Sequence, residues 1–246
     1  MYKRGIYTVK SNEPLADSVY RMVVVGDTSH ITAPGQFVNI ELKGKFLRRP
    51  ISVCDYNENS ITLIYKVVGR GTGQMKCMTP GEELDMLTGL GNGFTVEESS
   101  RRPLLVGGGV GVPPLYNLAN VLLAAGKKVT VVAGFNKASE IFYEEEFRAP
   151  GAEVFIATAD GSRGVKGFVT DSIRENEIIY DYMYACGPVP MLKALNEQFP
   201  GPGQFSFEER MGCGFGGCMG CTCQTKYGYK RICKEGPVLT TDEIIW

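Results

Sequence analysis

The sequence predicts a β plus α/β protein: an antiparallel β-barrel, then a parallel-sheet domain, then a small cysteine-rich C-terminal domain. Three observations carry this. Short β-branched and aromatic runs separated by turn residues occupy residues 1–98, strand and helix patterns alternate over 99–205, and five of the eight cysteines crowd into 206–246.

In the first zone the apolar runs lie at 20–25, 36–42, 61–68 and 83–87. Turns at Pro34-Gly35 and Pro80-Gly81 fall between them, where proline presets one dihedral and glycine accepts the other. Between two of these runs stand Arg49, Pro50, Ile51 and Ser52, offering a guanidinium able to grip a pyrophosphate bidentately beside a hydroxyl. The glycine loop 69–73, with Gly71 and Thr72, adds backbone donors able to face phosphate. Another glycine turn, 89–94, closes the zone.

The second zone opens with a strand at 103–106 and a helix over 112–125, whose first turn accepts Pro113 and Pro114 and whose end is marked by Gly126. Further strands are expected at 129–134, 153–158 and 181–185, with helices at 140–148 and 189–199. Between the first strand and helix lies Gly107-Gly108-Gly109-Val110-Gly111, where a dinucleotide's pyrophosphate can approach backbone N–H groups. The loop departs from G-x-G-x-x-G because Val112 stands at its last position, and a merely tight strand-to-helix turn is the competing reading. Cys186, Gly187 and Pro188 end a predicted parallel strand, the edge at which open α/β sheets bind ligands. Cys54, Cys77 and Cys186 otherwise read as small buried apolar residues, and Glu144, Glu145 and Glu146 as a solvated helix face.

The third zone cannot build a comparable core and needs a cofactor. Cys213, Cys218 and Cys221 have the C-x4-C-x2-C spacing of plant-type [2Fe-2S] proteins, with Cys233 as the fourth ligand. Thiolates are the soft ligands iron takes, and five glycines within 212–220 let the backbone turn tightly and aim N–H groups at sulfur. A structural zinc site is the alternative, although paired C-x2-C knuckles would suit zinc better. Cys223 competes with Cys233 for the last position, since an extended chain would put it on the face of Cys221. Trp246 could cover a flavin or a partner, or simply pack.

A net charge of -1 leaves no basic field for nucleic acid or an anionic membrane. The N-terminal residues lack the apolar core of a signal peptide, no stretch reaches the roughly 18 apolar residues of a membrane helix, and a cytoplasmic location follows as the expectation. The single histidine, His30, falls in a turn without a second ligand or acid/base partner near it in sequence.

In order along the chain, Arg49 to Ser52, the 104–115 segment, Ala185-Cys186-Gly187-Pro188, Glu208 to Gly214 and the cysteines before Gly236-Pro237-Val238 resemble the ferredoxin-reductase superfamily. Within it, they resemble the electron-transfer subunits of bacterial type B dihydroorotate dehydrogenases. The resemblance implies FAD on the barrel, NAD as substrate on the α/β domain, and a [2Fe-2S] cluster on Cys213, Cys218, Cys221 and Cys233. It assigns FAD to Arg49, Pro50, Ile51, Ser52, Tyr65, Lys66, Val67, Gly71 and Thr72. Ile51 replaces the aromatic with which the wider superfamily stacks on the flavin, a departure that suits the dihydroorotate dehydrogenase subunits. The implied partner is an FMN-containing catalytic subunit, in a heterotetramer of two of each. That subunit would oxidise dihydroorotate and pass electrons singly through cluster and FAD to NAD+, a flavin being able to take one electron at a time and release two. The flavin subunit of an NADH-dependent ferredoxin:NADP oxidoreductase or of a sulfhydrogenase would share these motifs. A zinc-binding interaction protein is the reading from another class.

Overall fold

A computed structural model describes residues 2–99 and 101–246. Strands β1 (Lys3–Ala16), β2 (Val19–Val25), β3 (Phe37–Ile40), β4 (Arg49–Tyr56), β5 (Ser60–Lys66) and β6 (Glu83–Leu90) close an antiparallel barrel in the order β1-β2-β5-β4-β3-β6. Alternate residues fill it: Met22 and Val24 from β2, Val38 and Ile40 from β3, Ile61 and Leu63 from β5 are all buried. A short helix, α1 (Arg70–Lys76), connects β5 to β6.

Two expectations need correction here. Arg49, Pro50, Ile51 and Ser52 do not lie between strands; they begin β4 and pair with Ile40, Asn39, Val38 and Phe37 of β3. Pro50 costs no ladder bond that the pairing cannot spare, because it stands near the first residue of its strand. Residues 70–73 are helical rather than a loop, and Thr72 caps the turn by accepting from the Val68 amide at 3.0 Å and donating to the Gly69 carbonyl at 3.3 Å.

The α/β domain runs β7 (Pro103–Gly108), a 3-10 turn (Gly109–Gly111), α2 (Pro114–Ala124), β8 (Thr130–Phe135), α3 (Glu144–Arg148), β9 (Glu153–Thr158), β10 (Val165–Lys166), α4 (Val169–Glu175), β11 (Tyr182–Cys186), α5 (Val189–Gln198) and β12 (Gly203–Ser206). The helix expected at 140–148 is shorter, because Tyr143 takes a left-handed conformation (φ 65°) and starts it late. Glu144 is not solvated as expected: Arg148 and Arg163 each reach its carboxylate at 2.9 Å. Nor is Cys77 buried; it is exposed, whereas Cys54 and Cys186 are buried.

The C-terminal segment folds as a hairpin, β13 (Thr222–Thr225) with β14 (Gly228–Arg231), and ends in β15 (Val238–Thr240). The large sheet has the order β10-β9-β8-β7-β11-β12-β15, parallel throughout except for β15, which runs antiparallel to β12. Its two faces carry separate cores. Leu105, Tyr184 and Cys186 pack with α2, Phe147 of α3 and barrel residues Val19, Cys54 and Ile64. Leu104, Val106, Met183 and Ala185 pack with α4, α5 and, beyond them, Cys221, Ile232 and Cys233. The barrel joins both cores, so the three segments pack directly on one another. No helix among the described residues is long and apolar enough to cross a membrane.

Candidate functional site

A cavity of about 670 Å³ opens at the carboxyl ends of the parallel strands. The sheet order turns back between β7 and β11, and in an open α/β sheet that switch point is where a ligand finds two loops diverging. Gly108, Gly109 and Gly111 line the cavity from the β7 side, Gly187 and Pro188 from the β11 side, and Lys66 from the end of barrel strand β5. Each glycine has its own reason. A Cβ at Gly111 would stand 2.2 Å from the Cys186 carbonyl oxygen, whereas at Gly109 (φ +52°) the corresponding space is empty and backbone is open to a ligand. Gly107 does not line the cavity; a Cβ there would meet Val112 at 2.7 Å, so its role is to seat the turn on the sheet.

Cys186 also differs from expectation. It is buried, lies outside the cavity lining, and burial followed by the nearby Glu208 carboxylate pushes its thiol up to about 12. Glu208 itself lines the cavity, with its carboxyl raised by burial, although the residue as a whole is exposed. In sequence it only opens the Glu208 to Gly214 segment, with no role of its own. The signal that could have found it is its place just past β12, at the same carboxyl edge as the glycine loops. We expect Gly111→Ala to force the β7–α2 turn off the Cys186 backbone. Urea titration should show a loss of about 1–3 kcal/mol, the range for overpacking a rigid contact, with weakened dinucleotide binding.

On the barrel, Arg49 and α1 meet. A Cβ on Gly71 would sit 2.2 Å from Arg49 Nε and 2.9 Å from Nη2, so the guanidinium lies across the glycine. Arg49 Nη1 also donates to the carbonyl of Arg48 at 3.3 Å. This brings Arg49, Gly71 and Thr72 into one place. Ile51 and Val67 are half-buried against the barrel core, and Tyr65 is buried, its hydroxyl donating to Asn12 Oδ1 at 2.9 Å. The Tyr65 side chain therefore belongs to the barrel interior, and only its backbone can face a ligand on the outer surface. Lys66, one residue on, connects this region to the cavity.

The cysteines form two pairs. The Cys213 amide points at Cys218 Sγ (3.4 Å), and Cys213 Sγ accepts from the amides of Gly217 (3.1 Å) and Cys218 (3.4 Å). Cys221 Sγ accepts from the Cys233 amide at 3.4 Å. Among the described residues no three His, Cys, Asp or Glu side chains converge as a single-ion site. Two separate pairs match a two-iron cluster, in which each iron takes two protein ligands. N–H groups already aimed at sulfur are the second shell that such a cluster needs. Arg231 holds the loop from behind, donating to the Gly216 carbonyl at 2.6 Å and to Glu235 at 2.9 Å. Cys223 sits apart on β13, paired across the hairpin with Lys230, and packs against the second core.

The two pairs differ electrostatically. Burial raises the Cys213 thiol, but the amides of Phe215, Cys218 and Gly217 outweigh it and bring the thiol down to about 6. Cys233 is pushed up to about 12, by burial first and then by Cys221. In protein stripped of iron, the thiolate fraction of Cys213 rises as pH passes about 6, so its alkylation should level off above about pH 7. Peptide mapping after iodoacetamide should find Cys213 modified there and Cys186 unmodified.

Two family models match the chain. One described as the iron-sulfur cluster binding domain of dihydroorotate dehydrogenase B covers residues 208–245, and an oxidoreductase NAD-binding domain covers residues 105–197. A protein of Geobacillus sp. (strain WCH70) named dihydroorotate dehydrogenase B (NAD(+)), electron transfer subunit, is 46% identical over 100% of both chains. The equally named protein of Fusobacterium nucleatum is 43% identical over 96% of each. Among solved structures, one of an NADH-dependent reduced ferredoxin-NADP oxidoreductase superposes with a TM-score of 0.89 at 30% identity. It covers 98% of this chain and 90% of that one. Amycolatopsis cytochrome P450 reductase GcoB shares the fold with a TM-score of 0.69 at 20% identity, over 80% of this chain and 66% of its own.

Proposed function

The chain belongs to the electron transfer subunits of dihydroorotate dehydrogenase B (NAD(+)), and from that premise we propose how its residues divide the work. It is an oxidoreductase subunit that serves a separate catalytic subunit, carries FAD and a [2Fe-2S] cluster, and uses NAD+ as the electron acceptor. The observation that carries our reading is the pairing of the four sulfurs on a segment packed against both the barrel and the sheet.

In this reading residues 1–98 bind FAD, 99–205 bind NAD and 206–246 hold the cluster. Arg49 grips the flavin pyrophosphate over Gly71, with Pro50, Ile51, Ser52, the backbone of Tyr65, Lys66, Val67 and Thr72 shaping the rest of the flavin site. Gly108, Gly109, Gly111, Gly187 and Pro188 would receive the dinucleotide in the cavity, which Lys66 lines from the barrel side. Gly107 and Cys186 support that floor from beneath. Cys213 with Cys218, and Cys221 with Cys233, ligate the two irons. A bound cluster would supply one-electron exchange, and a bound flavin would collect two such electrons with a proton for hydride delivery to NAD+.

The partner is an FMN enzyme that oxidises dihydroorotate, and the assembly a heterotetramer of two of each subunit. Phe215 and Met219, exposed on the cluster loop, and Tyr2, whose ring lies 5.4 Å from that of Phe215, offer it an apolar landing. The compartment is the cytoplasm, whose reducing conditions suit a chain in which none of the eight cysteines is disulfide-bonded. The test is anaerobic purification of the chain alone and with a co-expressed FMN dihydroorotate dehydrogenase subunit. FAD, iron and sulfide, with NADH formed from dihydroorotate only by the pair, is the expected result. Cofactors without that activity would reject the partner, and a colourless zinc protein would reject the reading.

A further inference from the structure

One buried polar side chain stands between the flavin strand and the cluster loop. Asn39, at the middle of β3, is 1% exposed. Its backbone pairs with Pro50 of β4, and the Asn39 carbonyl accepts from Arg48 Nη1 at 3.3 Å. Its side chain leaves the barrel in the opposite sense from Val38 and Ile40, which fill the interior. Phe37, two residues earlier on the same face, packs with Cys221, Ile232 and Cys233. Asn39 therefore lies on the barrel face that the cluster segment covers.

Its contact there is specific. Asn39 Nδ2 donates to the carbonyl oxygen of Cys213 at 3.0 Å, across 174 residues of sequence. The next residue, Gly214 (φ +77°), has no room for a side chain, because a Cβ would stand 2.2 Å from the same Nδ2. The opposite atom, Asn39 Oδ1, is buried with no hydrogen-bond partner among the described residues. Burying an amide is unfavourable unless both ends are used, and an apolar residue of that size would fill the space at less cost. An asparagine half satisfied at this place is explained if its position serves the neighbouring groups.

We propose that Asn39 is a positioning residue that fixes the Cys213 end of the cluster loop to the flavin-binding strand, so that the first cysteine pair keeps one orientation toward the flavin. The inference rests on the ligand reading above. Through β3 the link is short: Asn39 holds Cys213 by its side chain and stands opposite Pro50 in the β3–β4 ladder, next to Arg49. The Gly214 turn exists to let that amide approach.

The experiment compares Asn39→Leu, which keeps the branched four-atom skeleton and removes the donor, with Asn39→Gln, which keeps a donor on a longer arm. Both are made in the holoprotein with FAD and cluster. In Asn39→Leu, iron, sulfide and FAD content should match the parent, as should bleaching of the flavin by NADH. The electron paramagnetic resonance spectrum of the reduced cluster should shift or broaden, amide exchange at 213–214 should rise, and cluster reduction by NADH should slow about tenfold or more, as a small misplacement does to a positioned group. Asn39→Gln should restore part of each. An Asn39→Leu protein with the parent's resonance spectrum, exchange and cluster reduction rate would overturn the proposal. So would one in which Asn39→Gln is as impaired as Asn39→Leu. If the parent itself contained no iron or FAD, the ligand reading would fail instead, which the cofactor content of the unaltered protein reveals first.

Discussion

Cys233→Ser should strip the protein of its cluster, whereas Cys223→Ser should leave iron and sulfide content unchanged. Both cysteines lie within reach of Cys221 along the chain, and spacing alone leaves them in competition. The fold separates them. Cys233 is buried, gives its amide to Cys221 Sγ at 3.4 Å and so completes the second sulfur pair. Cys223 is held by the β13–β14 ladder opposite Lys230 and, among the described residues, shares no hydrogen bond with either sulfur pair. A serine at 233 offers a harder oxygen donor where iron takes sulfur. The visible absorbance of the cluster, its iron and its sulfide should therefore vanish together, while FAD stays bound. Loss of iron in the Cys223 variant with retention in the Cys233 variant would reverse the ligand assignment.

Gly71→Ala should fold and lose its grip on FAD. The added methyl collides with the guanidinium of Arg49 at 2.2 Å, and that is the far end of a flexible side chain. Arg49 can swing away, so the barrel survives and the pyrophosphate loses its charged partner. A charge-assisted hydrogen bond contributes about 1.5–3 kcal/mol, so FAD affinity should fall by roughly 10- to 150-fold. Fluorescence titration of the apoprotein with FAD checks this, with circular dichroism reporting that the fold is intact. If the alanine variant bound FAD as tightly as the parent, Arg49 would not be the pyrophosphate ligand.

Much of this site is legible in the sequence alone. The sulfur spacing, the glycine loop after β7 and Arg49 to Ser52 are local patterns whose chemistry does not depend on distant residues. Element boundaries are harder. The segment 49–56 reads poorly as a strand because Arg49 and Pro50 open it, yet β3 supplies partners for it. The 14-residue β1 carries charged and turn-forming residues on its outer face and does not stand out as a separate strand, although Tyr7 and Val9 point into the barrel. Residues 70–73 look like a loop by composition, and Thr72 makes them a helix by capping. Asn39 lacks any local signature, and Glu208 is legible only as the start of the Glu208 to Gly214 segment. What gives them meaning is the juxtaposition of segments far apart in sequence, the cavity edge for one and the Cys213 carbonyl for the other.

The strand β15 has a bearing on how the molecule is made. Ser206 at the end of β12 pairs directly with Val238 at the start of β15, and Phe207 donates its amide to the Pro237 carbonyl at 2.9 Å. Residues 207–237 are thus a loop whose two ends are stitched together at the edge of a sheet already complete without them. Asn92, at the end of the barrel, clasps the same base, donating to the Val238 carbonyl at 2.7 Å and accepting its amide at 3.1 Å. The cysteine-bearing loop is therefore anchored at both ends, and its sulfurs are carried between two fixed points, one on the sheet and one on the barrel.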